Sequence, residues 1–163
     1  MYIKTLDVAG FSSAFKGVRN PKNSWGLSDS FIDSNDKFIL GEKDKFLAQT
    51  LIIAGGEHRK FMRQIQVWAD VNMPRFIWQE LDTYRFGTKN SCSTMHKLFN
   101  KKDKITKEMF VFSKEDEDYI DNTVAYLNNL RNRWLNVKSP KEKSKLLLRA
   151  KQILPEGFLQ MRT

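Results

Sequence analysis

Residues 61–93 carry a hydrophobic pattern that changes period and then stops, and no other stretch limits the fold as much. Phe61, Ile65, Val67 and Ala69 alternate with Met62, Gln64, Gln66 and Trp68, the period of two that sends successive strand side chains to opposite faces. Arg63 interrupts the apolar face, so a wet cavity is expected at one end of it. Pro74 suits the first turn of a helix, and Phe76, Ile77, Glu80, Leu81 and Tyr84 continue it at helical spacing. The run 87–93, GTKNSCS, then breaks the helix with small and polar residues, and Ser93 can cap a second helix there. Backbone N–H groups at such a start attract phosphate or a polarised carbonyl, although an ordinary capped turn has the same composition.

At 163 residues the chain suits one domain, 1–163, able to bury roughly two-thirds of its unfolded surface. Twelve Phe and four Trp supply bulky core material. The longest apolar run, 51–56, ends in Gly-Gly, far short of the roughly 18 residues of a membrane span. The opening MYIKTLDVAG lacks the basic end and apolar centre of a signal peptide. One cysteine, Cys92, excludes an internal disulfide and fits a reducing cytoplasm. With two His and one Cys, no metal site is expected.

The net charge of +9 reads either as a solvated Lys-rich surface or as a match for an anionic partner, a nucleic acid or the phosphates of a nucleotide. The excess gathers in 97–107 and 138–151. Neither stretch has the aromatic interleaving of a single-strand binding platform, so nucleic acid is not the expected ligand.

Residues 2–8 alternate as a first strand, and Gly10 leads into a short amphipathic turn with Phe11, Ala14 and Phe15. The stretch 17–30 is crowded with Asn, Pro, Ser and Gly and reads as a loop. Its Arg19, Asn20, Ser24, Trp25 and Ser28 serve either a solvated connection or a ligand cover. Residues 41–54 look helical, with Phe46, Leu47, Thr50, Leu51 and Ala54 on one face, and Gly55-Gly56 stop them. Residues 108–112 form a short apolar run of strand type. From Lys114 a stripe of Ile120, Val124, Leu127, Leu130, Arg131 and Trp134 predicts a long helix with acids first and bases last. Ser139-Pro140 begins a final helix, which Pro155 and Gly157 end.

With these residues in view, the chain resembles the flavin-dependent thymidylate synthases, whose motif has the form R-H-R-x-x-S-x-N-x-x-S-x-R. Thr83, Tyr84 and Arg85 fall on the opening triplet, Thr88 on the first serine, Asn90 on the asparagine and Ser93 on the second serine. Upstream, Pro74-Arg75 matches a Ser/Pro-Arg pair, Glu80 takes a glutamine's place and Glu57-His58 matches a Glu-His. Near the end, AKQILP looks like the family's A-R-x-x-L-P, with Lys151 for the arginine. Short phage-type members are the nearest in pattern, through VRNPKNSW and ILPEGFLQMRT.

The resemblance implies an α+β fold of thymidylate synthase-complementing-protein type, a mixed sheet packed with long helices. It implies reductive methylation of dUMP, with carbon from methylenetetrahydrofolate and hydride from FAD reduced by NADPH. It also implies a cytoplasmic homotetramer whose active sites combine several subunits. Carried over residue by residue, His58, Tyr84, Arg85 and Asn90 lie against the flavin. Glu80, Ser91, Ser93 and Lys151 lie at the pyrimidine nucleotide, and Ser93 and Arg85 are the catalytic candidates. Arg75 is structural or near the nucleotide.

The departures from the pattern carry physical weight. Met95 stands where the closing arginine is expected and cannot make charge-assisted bonds, each worth about 1.5–3 kcal/mol. Thr83 and Tyr84 remove charge, Glu80 adds a negative charge near an anionic ligand, and Lys151 keeps charge without the bidentate fork. Such changes fit an altered pyrimidine substrate or a catalytically inactive relative that binds a nucleotide or a protein. Arg162 lies too near Pro155 to stand for the nucleotide-contacting arginine that longer members place beyond it.

Overall fold

The alternating residues at the start of the chain form β1, Tyr2–Ala9, as their period predicts. The computed structural model describes residues 1–85, 87–92 and 98–163. The chain divides into two compact units, Thr5–Ala69 and Met1–Lys4 with Asp70–Thr163.

In the unit Thr5–Ala69, Gly10 turns the chain at φ +93° into α1, Phe11–Arg19. A Cβ on Gly10 would stand 2.2 Å from the Gln64 carbonyl oxygen, so only glycine fits this close approach. Short 3₁₀ turns, Asn20–Lys22 and Trp25–Leu27, follow within what was expected to be a loop. The strands β2, Phe31–Ile32, and β3, Phe38–Ile39, pair antiparallel. The Asp33 carboxylate organises their turn by accepting from the N–H groups of Asn35 and Lys37.

Helix α2, Glu42–Ala54, begins one residue later than expected and turns only part of the expected face inward. Asp44 and Ala48 are buried, with Leu51 packed beside them, while Phe46 is 72% exposed. The expected apolar face missed this because its anchor is a charged residue. Ala14, Phe15, Ala48 and Phe61 form the core here, with the Phe15 and Phe61 rings edge to face at 5.9 Å.

The expected strand begins later than its alternation implies. Residues Gly56–Gln64 form a 3₁₀ helix that begins at two positive-φ glycines, Gly55 before it and Gly56 as its first residue, and only Phe61 of this segment is buried. Arg63 lies at the surface beside Glu57 rather than in a cavity. Strand β4 is Gln66–Pro74, so Pro74 ends a strand and caps the next helix instead of occupying its first turn.

In the other unit, α3 covers Arg75–Asp82, and Tyr84 lies beyond it. The expected strand at 108–112 is a 3₁₀ turn, Lys107–Met109, followed by a single bridge from Phe110 to Phe158. Helix α4, Glu117–Asn136, buries Ile120, Leu127, Leu130 and Arg131, the stripe read from its spacing. Full burial of leucines such as Leu127 and Leu130 is worth roughly 1.5–3 kcal/mol each. Arg131 is satisfied by donating to the carbonyls of Asn100 and Lys101 at 2.9 and 3.1 Å. Helix α5, Pro140–Gln152, starts as predicted, with Pro140 in its first turn and the Ser139 hydroxyl accepting from the Glu142 N–H. Leu146 and Ala150 of α5 join the α4 core.

The chain then adds β5, Leu159–Arg162, which no alternation announced. It pairs antiparallel with β4, Val71 opposite Arg162 and Pro74 opposite Leu159. The sheet order is β1-β4-β5. The α+β class expected from the chain is the one observed, and the pairings β2–β3 and β4–β5 are both antiparallel. Among the described residues, no helix is long and apolar enough to cross a membrane.

Candidate functional site

Helix α3 stops at Asp82, before the expected Tyr84, and the Thr83 hydroxyl donates back to the Glu80 carbonyl at 2.7 Å. From there Tyr84, Arg85 and Gly87 to Cys92 cross to β5. Asn90 and Thr163 exchange backbone hydrogen bonds at 2.9 and 3.0 Å, and the Cys92 N–H donates to the Met161 carbonyl at 2.8 Å. Ser91 bridges Arg162 in antiparallel register. The polar run is therefore an added edge on β5, opposite β4, and not merely a solvated turn.

Beneath it lies an aromatic and ionic support. Trp78, 4% exposed, donates its indole N–H to the Gln160 carbonyl at 2.7 Å. The Arg162 guanidinium sits 4.5 Å from the Trp78 ring centroid, a cation–π distance. Its Nη1 donates to both Asp82 carboxylate oxygens, at 2.8 and 2.9 Å. Lys89 Nζ donates to the same carboxylate at 3.0 Å and to the Leu81 carbonyl at 2.8 Å. Hydrogen bonds from Arg162 and then Lys89 hold the Asp82 carboxyl below its ordinary value.

The structure gathers some of the expected site residues and separates others. Tyr84, Arg85, Asn90 and Ser91 all lie on this one stretch and are exposed, Tyr84 by 61%. Glu80 is one turn earlier on α3 with an exposed side chain. Lys151 is half-buried on α5 and makes no hydrogen bond to these groups among the described residues. His58 is exposed on the 3₁₀ segment of the unit Thr5–Ala69. Ser93, its expected helix, Met95 and His96 lie outside the described residues.

Two arginines have structural roles. Arg75 pairs with Glu156 at 3.1 Å and donates to the Leu154 carbonyl, which accounts for it without a ligand. Arg19, a candidate for a ligand cover, is buried against Asp44 and is unavailable to one. Sequence reasoning missed the support made by Trp78, Asp82, Lys89 and Arg162. The signal present was chemical, Asp82 just before the motif stretch and Lys89 within it, but the further partner of Asp82 is Arg162 at the far end of the chain.

A cavity of about 330 Å³ opens beside the loop, lined among others by Tyr2, Asn72, Cys92, Glu108 and Gln160. None of Glu80, Tyr84, Arg85, Asn90 or Ser91 lines it. The motif side chains are instead displayed on an open surface. A phenol ring, a guanidinium, an amide and a hydroxyl together can stack on a planar ring and donate to ring carbonyls or phosphate. That donor set fits a flavin or a pyrimidine nucleotide.

No protein-family model matches the sequence, and no curated protein matches it. Solved structures do match it in shape. Thymidylate Synthase X (ThyX) from Helicobacter pylori, a structure with FAD and dUMP, aligns over 99% of this chain and 76% of its own, with a TM-score of 0.68 and 21% identity. A UMP/dUMP methylase, PolB, from Streptomyces cacaoi bound with 5-Br UMP aligns over 99% of this chain and 69% of its own, with a TM-score of 0.56 and 12% identity. The chain has the fold of the flavin-dependent thymidylate synthases.

Proposed function

We propose that this chain, acting as one functional domain, is a flavin-dependent enzyme that reductively methylates dUMP or a related pyrimidine deoxynucleotide. Its further reactants are NADPH and methylenetetrahydrofolate, and it works in the cytoplasm of a phage-infected host. The observation that supports this reading most is the motif loop itself. In a fold shared with a structure that holds FAD and dUMP, Tyr84 and Arg85 leave α3 on the same short stretch as Asn90 and Ser91, and that stretch pairs with β5 at Asn90 to Cys92.

Bound there and reduced by NADPH, FAD would supply the hydride that turns the transferred one-carbon unit into a methyl group. The chain's own residues bind and orient. The exposed Tyr84 ring offers a stacking face. The Asn90 backbone is occupied by Thr163, while its side-chain amide makes no hydrogen bond to a described residue and is available to ring edges. Arg85 presents a guanidinium fork suited to phosphate or to a carbonyl gaining negative charge. Ser91 and Ser93 supply hydroxyl donors at the pyrimidine, with Glu80 and the Lys151 cation as further nucleotide contacts and His58 as a flavin contact. Ser93 and Arg85 carry the catalytic role.

Because these groups face outward and not into a cavity of their own unit, the site is completed by further copies in a homotetramer. Burying this open edge against another copy would exclude water from the reacting groups.

The test begins with the colour of the protein. Purified protein is expected to be yellow, to release FAD on denaturation and to bind dUMP. Colourless protein that cannot be reconstituted with FAD would overturn the reading. Arg85→Ala and Ser93→Ala should retain folding and lose about ten-fold or more in binding or turnover. A second reading rests on Met95, where the motif has an arginine. It makes the chain an inactive relative that binds a nucleotide or a protein, and nucleotide binding with no turnover of dUMP, folate and NADPH would select it.

A further inference from the structure

Two side chains of β5 tie down the ends of the stretch between Asp82 and Cys92, Arg162 at Asp82 and Gln160 at Cys92. Arg162 reaches Asp82, the last residue before the loop, through Nη1 at 2.8 and 2.9 Å. It reaches the other end through Gln160, whose Oε1 accepts from Arg162 Nε and Nη2 at 3.3 and 3.2 Å. The Gln160 amide in turn donates to the Cys92 carbonyl at 3.2 Å. Lys89 closes a second link inside the loop by donating to Asp82 at 3.0 Å. The circuit Asp82–Arg162–Gln160–Cys92 thus encloses the stretch that bears Tyr84, Arg85, Asn90 and Ser91.

The guanidinium is well placed for this work. Its side chain is 17% exposed, stacked over Trp78 at 4.5 Å, while Asp82 is 45% exposed. An ion pair with a half-exposed carboxylate contributes little to global stability. Its planar fork, by contrast, fixes geometry, which a flexible lysine does less well. Backbone pairing alone would tie only Asn90 to Cys92, leaving the end that carries Tyr84 and Arg85 unlinked to β5.

We propose that Arg162 is the positioning residue of this loop, setting Tyr84 and Arg85 relative to Asn90 and Ser91 so that flavin or nucleotide meets a preformed surface. The proposal rests on the functional reading above for the identity of the ligand. The brace itself is a property of the chain with or without that ligand.

The experiment uses the full chain and the variants Arg162→Gln, Arg162→Lys and Asp82→Asn. Amide hydrogen exchange is followed at Asn90 and Cys92, whose N–H groups donate to Thr163 and Met161, with Leu127 and Leu130 in α4 as internal references. In Arg162→Gln and Asp82→Asn, exchange at Asn90 and Cys92 should rise about ten-fold while the references stay unchanged. Titrations with FAD and with dUMP should show a similar loss of affinity, and Arg162→Lys should recover part of both effects. Unchanged exchange at Asn90 and Cys92 in both Arg162→Gln and Asp82→Asn would overturn the proposal. So would equal loss of protection at Leu127 and Leu130 in both, which would make the pair a general support of the unit. Wild-type protein that takes up neither FAD nor dUMP would refute the functional reading, and the exchange comparison would still decide the role of Arg162.

Discussion

Arg19 and Asp44, 25 positions apart, meet in the interior of the unit Thr5–Ala69, where Arg19 Nε donates to Asp44 Oδ1 at 2.8 Å. The second carboxylate oxygen accepts from the hydroxyls of Ser28 and Ser30. One buried carboxylate therefore joins α1, the turns after it and α2. A single-site change that leaves Arg19 buried without its partner, Asp44→Ala, should cost about 3–5 kcal/mol. Urea unfolding measures this, and a loss below about 1 kcal/mol would mean that the pair is not a structural link.

The same carboxylate sets a pH dependence. Burial opposes its ionisation most strongly, but Ser28, Ser30 and Arg19 together outweigh burial and hold Asp44 below the ordinary value of 3.8. A carboxyl with a lowered value in the folded state stabilises the fold above its unfolded value. That stabilisation is lost as pH falls through the folded value. The stability difference between wild type and Asp44→Asn should therefore be constant from neutral pH down to the ordinary carboxylate value and shrink in stronger acid. Thermal midpoints across an acid series test this, and a gap that widens below that value would contradict it.

Gly157 lies at a close approach that positions β5. A Cβ there would stand 2.2 Å from the Val111 carbonyl oxygen, and the Val111 N–H donates to the Gly157 carbonyl at 2.8 Å. Gly157→Ala should destabilise the protein by about 1–3 kcal/mol, as overpacking against fixed backbone does. Calorimetry would show the loss as a lower midpoint, and an unchanged midpoint would mean that the turn shifts freely.

Exposed motif side chains should behave in the opposite way. Tyr84→Ala and Asn90→Ala remove groups that are exposed, so thermal midpoints should stay within about 0.5 kcal/mol of wild type in stability terms. Affinity for FAD should fall about ten-fold for each if they contact it. Flavin fluorescence titration separates the two effects, and variants that lose stability but keep affinity would reassign both residues to packing.

Local patterns were legible wherever a structure depends on near neighbours. The first strand, the presence of α2 and α4, the Ser139-Pro140 helix start and the α4 stripe from Ile120 to Arg131 all follow from period and capping, although α4 begins at Glu117, three residues later than expected. The break after α3 was legible too, because a contiguous run of small and polar residues cannot continue an apolar helical stripe. Failures occurred where a distant partner decides. Phe46 falls on the apolar face that spacing predicts for α2, yet it is exposed, because the pair with Arg19 turns Asp44 inward. Residues 61–64 alternate like a strand yet wind as 3₁₀ helix after positive-φ Gly55 and Gly56.

The sequence by itself determined the order of most elements and, through its family resemblance, the α+β class, with a polar run after α3 that reads as a capped turn or as a ligand loop. Only the tertiary structure decided that β5 exists, that Asn90 to Cys92 pair with it and that Arg162 and Gln160 brace the two ends of the loop. The reason is range. Period and capping act over a few residues and leave a mark in any short window, whereas strand pairing and the burial of a charge are settled by partners as remote as Asp82 and Arg162, 80 positions apart.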